Sequence, residues 1–148
     1  VEEHGVRRAI IRTAMVLGDG GALAKMVGPF KAGLGSYLGA GHQGVSWIHI
    51  KDEVRAIIFL IENEKFKGIF NLSSIHPLTF NKFADTLGSV LGKRVWFRAP
   101  GFVLKLVLGQ MAEEVLLSGQ FVMPVKLIAA GFKFNFPDAD EALREVLS

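Results

Sequence analysis

Three sets of residues in this sequence have the types and spacing for chemistry. The segment GAGHQG, Gly39 to Gly44, spells G-x-G-x-x-G. That is the pattern with which a strand-to-helix turn cradles a dinucleotide pyrophosphate. Ser46, His49 and Asp52 have the residue types of a nucleophile, a base and an orienting acid. The four histidines, His4, His42, His49 and His76, could ligate a metal.

The elements around these residues decide among the possibilities. A pyrophosphate cradle needs a buried strand before it and a helix after it. Here KAGLGSYL precedes and is broken by glycine, while VSWIHI follows and is β-branched and aromatic, which reads as strand. The segment therefore reads as a loop. On a strand, residues three apart point to opposite faces, so Ser46 is not expected to reach His49. His49 and Asp52 are expected to fix a strand-to-helix corner by hydrogen bonds. The histidines lack the helical spacing of paired metal ligands and the chain has no cysteine, so no metal site is expected.

A pass along the chain gives alternating elements. AIIRT reads as a strand ending in the GDGG loop. Leu23, Met26, Val27 and Phe30 follow at helical spacing, and Pro29 is expected to kink or break that helix. KDEVRAIIFLIENEK is the clearest helix, with Asp52 as its expected N-cap and a centre apolar enough for burial on two sides. GIFNLSS reads as a buried strand. In TFNKFADTLGSVLG, Phe80, Phe83, Ala84, Leu87 and Leu91 share a face, with Thr79 to cap the start and Gly92 the end. KRVWFRAP reads as strand, the stretch from Pro100 to Gly119 as one or two helices, and FVMPVKLIAAGFKF as a turn or short helix ending at Gly131. An Asp138–Glu141 capping box opens the last helix.

Composition excludes several classes of function. Half of the 148 residues are hydrophobic, with a mean hydropathy of +0.35. The most apolar stretch, Phe102 to Leu117, carries Lys105, Glu113 and Glu114, so it lacks an uninterrupted run near the ~18 residues of a spanning helix. No membrane partner is expected. The net charge of +3 comes from 17 basic and 14 acidic residues. The cations are scattered in pairs such as Arg7–Arg8 and Lys93–Arg94, not clustered as nucleic-acid binding requires. The absence of cysteine fits a reducing compartment, and a cytoplasmic location is expected. The opening VEEHGVRRAIIRT runs without Met straight into a strand. That is the expectation for a piece of a longer chain, whose other half covers the surplus apolar surface.

The order R-x-x-x-V-x-G (Arg12 to Gly18), GxGxxGxSWIHIKD (Gly39 to Asp52), an apolar helix and then GIFNLSS resembles the C-terminal half of an extended short-chain dehydrogenase/reductase. That superfamily is the NAD-dependent epimerase/dehydratase group. GGAL, LGQMAEEVLLSGQFVMPVKL, AAGFKFNFPD and ALREVL resemble the subfamily labelled nucleoside-diphosphate-sugar epimerases, which ends in its own small C-terminal domain.

The resemblance implies an α/β fold. Residues 1–92 would form the C-terminal part of the Rossmann-like NAD(P)-binding fold with its substrate loop, and 93–148 a small, mostly helical substrate-side domain. The superfamily's cofactor glycines and its Tyr-x-x-x-Lys acid/base pair belong to the N-terminal half. The one tyrosine here, Tyr37, is followed four residues later by Gly41. No catalytic residue is therefore expected in this chain. NAD or NADP is expected in the full-length parent, and no tight cofactor binding by this chain alone. Thr13 and Ala14 would lie near the nicotinamide. Met15, Gln43 and Trp47 would face the substrate, although Met15 and Trp47 could equally be core and Gln43 a loop brace.

Two departures bear on the substrate. Val45 stands where such epimerases carry an arginine that grips pyrophosphate, and Met15 where they carry a substrate-facing asparagine. An apolar side chain cannot make a bidentate grip on phosphate. The implied ligand is a small molecule less phosphorylated or more apolar than a nucleotide-sugar, unless Arg98 supplies the missing cation. The implied partners are the N-terminal half of the same protein and, for the isolated chain, a second copy. The rival expectation is a non-catalytic binding or regulatory module on the same fold; a Tyr-x-x-x-Lys upstream of Val1 favours the enzyme, and its absence the module.

Overall fold

The computed structural model describes residues 6–99 and 119–148. The helices expected between Pro100 and Gly119 fall outside them. In chain order the elements begin β1 (Ala9–Thr13), β2 (Met15–Leu17), α1 (Gly21–Lys31), β3 (Ser36–Leu38), β4 (Gly44–Val45), β5 (Trp47–His49) and α2 (Ile50–Glu62). They continue with β6 (Gly68–Leu72), β7 (Leu78–Thr79), α3 (Phe80–Val90), β8 (Phe97–Ala99), α4 (Val125–Ala129) and α5 (Ala139–Leu147).

Strands alternate with helices, and their pairing is mostly parallel, as βα units require. β1 pairs in parallel with β6, Ala9 opposite Gly68 and Thr13 opposite Leu72. β2 pairs in parallel with β5, Met15 opposite Trp47. The chain changes partner within two residues. The Ala14 amide donates to the Leu72 carbonyl at 3.0 Å, and the Met15 amide to that of Ser46 at 3.1 Å. β3 and β8 form a further parallel pair, and β4 and β7 an antiparallel one.

Local signals account for most helix ends. Thr79 caps α3 by accepting from the Lys82 amide at 3.3 Å, and Gly92 follows its end at φ +64°. Phe80, Phe83, Ala84 and Leu87 are buried, as their spacing predicts. Three expectations need correction. α1 runs through Pro29 without a break. Pro29 removes only its own amide donor, and the turn after it still closes, with the Ala32 amide on the Gly28 carbonyl at 3.1 Å and the Leu34 amide on the Pro29 carbonyl at 2.9 Å. α2 starts at Ile50, with His49 and not Asp52 as its N-cap; His49 Nδ1 accepts from the Lys51 amide at 3.1 Å. The Asp138 side chain does not cap α5, because its carboxylate pairs with His76 Nδ1 at 3.2 Å.

Two apolar clusters form the core. The first joins Leu17, Leu23, Phe30, Trp47, Phe83 and Leu87 to Ala142 and Leu143 of α5. The second joins Ile48, Ala56, Leu60, Phe70 and Leu72 to Leu127 of α4 and Phe132. The described C-terminal residues thus pack into cores begun by the first ninety.

Helix α2 departs from expectation. It buries Ala56 and Leu60 on one side, while Val54, Ile58 and Ile61 stay open at i, i+4 and i+7. With Ile10, Ile11 and Ile69 of the β1–β6 pair, these side chains are 36% to 64% exposed. Among the described strands, β1 pairs with β6 alone. An open strand edge beside apolar side chains recruits other chains. Each Å² of apolar surface left in water costs about 25 cal/mol. The isolated chain is therefore expected to self-associate at low micromolar concentration. A monodisperse monomer in analytical ultracentrifugation would contradict this.

Candidate functional site

In parallel sheets ligands bind outside the carboxyl ends of the strands. Here that edge is built by the ends of β1 and β6. Thr13 closes β1 and is exposed, and Ala14 follows half-buried. Thr13 Oγ1 donates to Glu53 Oε1 at 2.8 Å. Glu53 stands in the first turn of α2 and is only 7% exposed; its second oxygen, Oε2, has no hydrogen-bond partner. Burial pushes the Glu53 carboxyl above its ordinary value, against the opposing effect of the Thr13 hydroxyl.

Asp52, the neighbour of Glu53, is fully buried and well satisfied. Its carboxylate accepts from the Asn135 amide at 2.9 Å and the Phe136 amide at 2.8 Å, and from Arg55 at 2.7 Å. His49 is fully buried too. Its Nε2 lies 2.7 Å from Glu145 Oε2, and the Phe136 ring stacks on the imidazole at 3.9 Å. Because Nδ1 accepts from Lys51, Nε2 carries the donated proton in the neutral ring. Lys51 also pairs with Glu145. Its hydrogen bond, followed by that of His49, holds the Glu145 carboxyl below its usual value against burial. Of the two residues expected to fix the strand-to-helix corner, His49 does so by capping α2, while Asp52 instead holds the 135–136 segment.

Ser46 belongs to neither residue's network. Its hydroxyl donates to the Gln120 carbonyl at 2.6 Å and accepts from the Val122 amide at 2.8 Å. Ser73 donates to the Val122 carbonyl at 2.9 Å. Ser46, His49 and Asp52 thus have separate partners and form no relay.

The Gly39–Gly44 loop docks on the start of α3. The Gly41 carbonyl accepts from the Asn81 amide and the Gln43 carbonyl from the Phe80 amide, both at 3.0 Å. Gly41 has φ +79°, and a Cβ there would lie 1.9 Å from Asn81 Oδ1. A Cβ on Gly44 would lie 2.7 Å from the Gln120 carbonyl carbon. The glycines let this loop approach α3 and the 119–122 segment, and it occupies the first amides of α3 that an anion would otherwise use.

The remaining candidate residues divide between this edge and the core. Met15 is half-buried opposite Trp47. Trp47 is fully buried, its Nε1 donating to the His76 carbonyl at 3.0 Å. Gln43 is half-buried in the docked loop. Arg98, on β8, donates from one guanidinium nitrogen to the Gly39 carbonyl and so braces the loop. Val45 is buried against the core. Among the described residues no three His, Cys, Asp or Glu side chains group as a metal site, and no helix is long and apolar enough to cross a membrane. Sequence reasoning missed Glu53 and the Gln120–Val122 segment. No local signal marked Glu53, since an acid in the first turn of a helix is ordinary.

The chain is similar to the human epimerase family protein SDR39U1, 36% identical over 143 residues. The crystal structure of that protein with NADPH matches at a TM-score of 0.86, covering 95% of this chain and 48% of that one. The chain is thus similar to the C-terminal half of proteins named as epimerase family members. A chloroplastic homologue from Arabidopsis thaliana is 41% identical, over 96% of this chain and 41% of its own length. Residues 99–146 match the family described as a domain of unknown function, DUF1731. A nucleoside-diphosphate sugar epimerase from Corynebacterium glutamicum shares the fold, with 24% identity and a TM-score of 0.77 over 99% of this chain and 27% of that one. The α/β fold is that of the Rossmann-like epimerases. The chain spans about half the length of the human and Arabidopsis family members.

Two outcomes follow from the paired acids of α2. Asp52→Ala strands two buried backbone donors and Arg55, so it should cost about 3 kcal/mol or more of stability, read from chemical denaturation. Glu53 has the opposite sign. With its folded value raised above the ordinary 4.5, the native state favours the protonated acid. Its stabilising contribution is complete below the ordinary value and is lost as pH rises through the raised one. Glu53→Gln should therefore gain stability relative to the parent chain as pH rises from 4 to 8. Parallel stability profiles for the two proteins would contradict this.

Proposed function

We propose that this chain forms the substrate-side half of an NAD(P)-dependent oxidoreductase or epimerase. The observation that carries the reading is the exposed Thr13 at the carboxyl end of a parallel strand, in a fold shared with a relative crystallised with NADPH. Bound NAD(P) would supply hydride acceptance and donation. Thr13 and Ala14 would meet the nicotinamide end, and the orphaned carboxyl oxygen beneath Thr13 suits a site that is polar on this side. Met15 and Gln43 would wall the substrate, with Trp47 as their rigid backing.

The proposed substrate is a small molecule less phosphorylated than a nucleotide-sugar. Val45 is apolar and buried, and Arg98 holds the Gly39 carbonyl. The segment laced to Ser46 and Ser73 leaves Phe121 and Met123 exposed as apolar surface. General acid/base residues would come from the other half of the parent protein.

Fluorescence titration with NADH and NADPH tests the reading. The full-length parent is expected to bind one of them at micromolar concentration, and residues 1–148 alone at least tenfold more weakly. No binding by the parent would overturn the reading. Micromolar binding by the isolated chain would overturn the assignment of the cofactor to both halves.

A further inference from the structure

The pairing of Thr13 with Glu53 has a directional consequence. A threonine hydroxyl has one proton and two acceptor lone pairs. Thr13 Oγ1 donates its proton inward, to Glu53 Oε1 at 2.8 Å. The exposed side of Thr13 is then left with acceptor capacity only. Glu53 is well placed to enforce this. It is buried in the first turn of α2, on the side that buries Ala56 and Leu60. A leucine would complete that apolar surface. The carboxyl leaves Oε2 unpartnered there, and orienting Thr13 is the one interaction it makes by hydrogen bond among the described residues.

We propose that Glu53 is a positioning residue that fixes Thr13 Oγ1 as an outward-facing acceptor and thereby selects a ligand presenting an N–H donor, the carboxamide of a nicotinamide. This rests on the reading that Thr13 meets the nicotinamide end of the cofactor. It deepens that reading by naming the group recognised and the residue that enforces the recognition. Thr13 touches the ligand, and Glu53 acts through Thr13.

The test uses the full-length parent protein with two probes, NADPH and its 3-acetylpyridine analogue, in which a methyl group replaces the carboxamide NH₂. One hydrogen bond is worth about 1 kcal/mol, so the parent should prefer the amide by roughly fivefold. Glu53→Leu frees the Thr13 proton and should bring the ratio of affinities close to one. Glu53→Gln retains a carbonyl acceptor for Thr13 and should restore the preference. A structural role for Glu53 would weaken both probes alike and leave the ratio unchanged, which would overturn the inference. Should Glu53→Leu fail to fold, Thr13→Val carries the test, and a retained ratio there overturns it equally. A parent that binds both probes without preference overturns this inference alone. A parent that binds neither overturns the cofactor reading with it.

Discussion

The buried carboxylate of Asp52 is the interaction on which the rest of the arrangement depends. A charge without water must be compensated by donors. Asp52 finds them in Arg55 on its own helix and in two backbone amides, of Asn135 and Phe136. Meeting that requirement brings residues near the C-terminus to the start of α2. Phe136 then stacks on His49, and Glu145 of α5 reaches His49 and Lys51. The Ser74 hydroxyl, donating to the Pro137 carbonyl at 2.9 Å, and the apolar burial of Ala142 and Leu143 then hold α5 beside that corner.

That corner also orients the candidate site. α2 places Asp52 and Glu53 in the same turn but gives them opposite environments. Asp52 is saturated by donors, while Glu53 has one hydroxyl and an empty lone-pair side. The first acid builds the fold. The second is tolerated within it and points toward the strand end where chemistry is proposed. A second lacing, from Ser46 and Ser73 to residues 120–122, brings the C-terminal stretch past the docked glycine loop. Both ends of the candidate substrate region are therefore defined by residues distant in sequence.

Much of this was legible in the residues themselves. The 3.6-residue spacing in α3, its Thr79 cap and its Gly92 terminus are local signals, and the structure follows them. The strand-to-helix turn after Trp47 was equally visible, because β-branched and aromatic residues give way to an acidic first turn. What was not legible depended on long-range partners. Asp52 has the residue type of an N-cap, but amides eighty residues away claim it, and His49 takes the capping role. Asp138 opens a capping-box pattern, and His76 diverts it. Pro29 looks like a break until the helix end is known. The G-x-G-x-x-G pattern is explained by close approach to Asn81 and Gln120, neither of which any local rule connects to the loop. Glu53 is invisible by type, since an acid in a first turn is ordinary; only its burial beneath Thr13 distinguishes it.

The sequence separation of these contacts has a kinetic meaning. Asp52 and its amide partners are 83 and 84 residues apart, and His49 and Glu145 are 96 apart. Long loops must close before such contacts reward the chain, which slows folding. During synthesis, β1, β2, β5 and α2 leave the ribosome well before the residues that satisfy their buried histidine and aspartate. Until residues 135–145 emerge, the Asp52 carboxylate lacks its two amide donors and the His49 ring lacks its carboxylate acceptor. Residues 135–145 are therefore the stretch whose arrival lets the buried corner of His49 and Asp52 close.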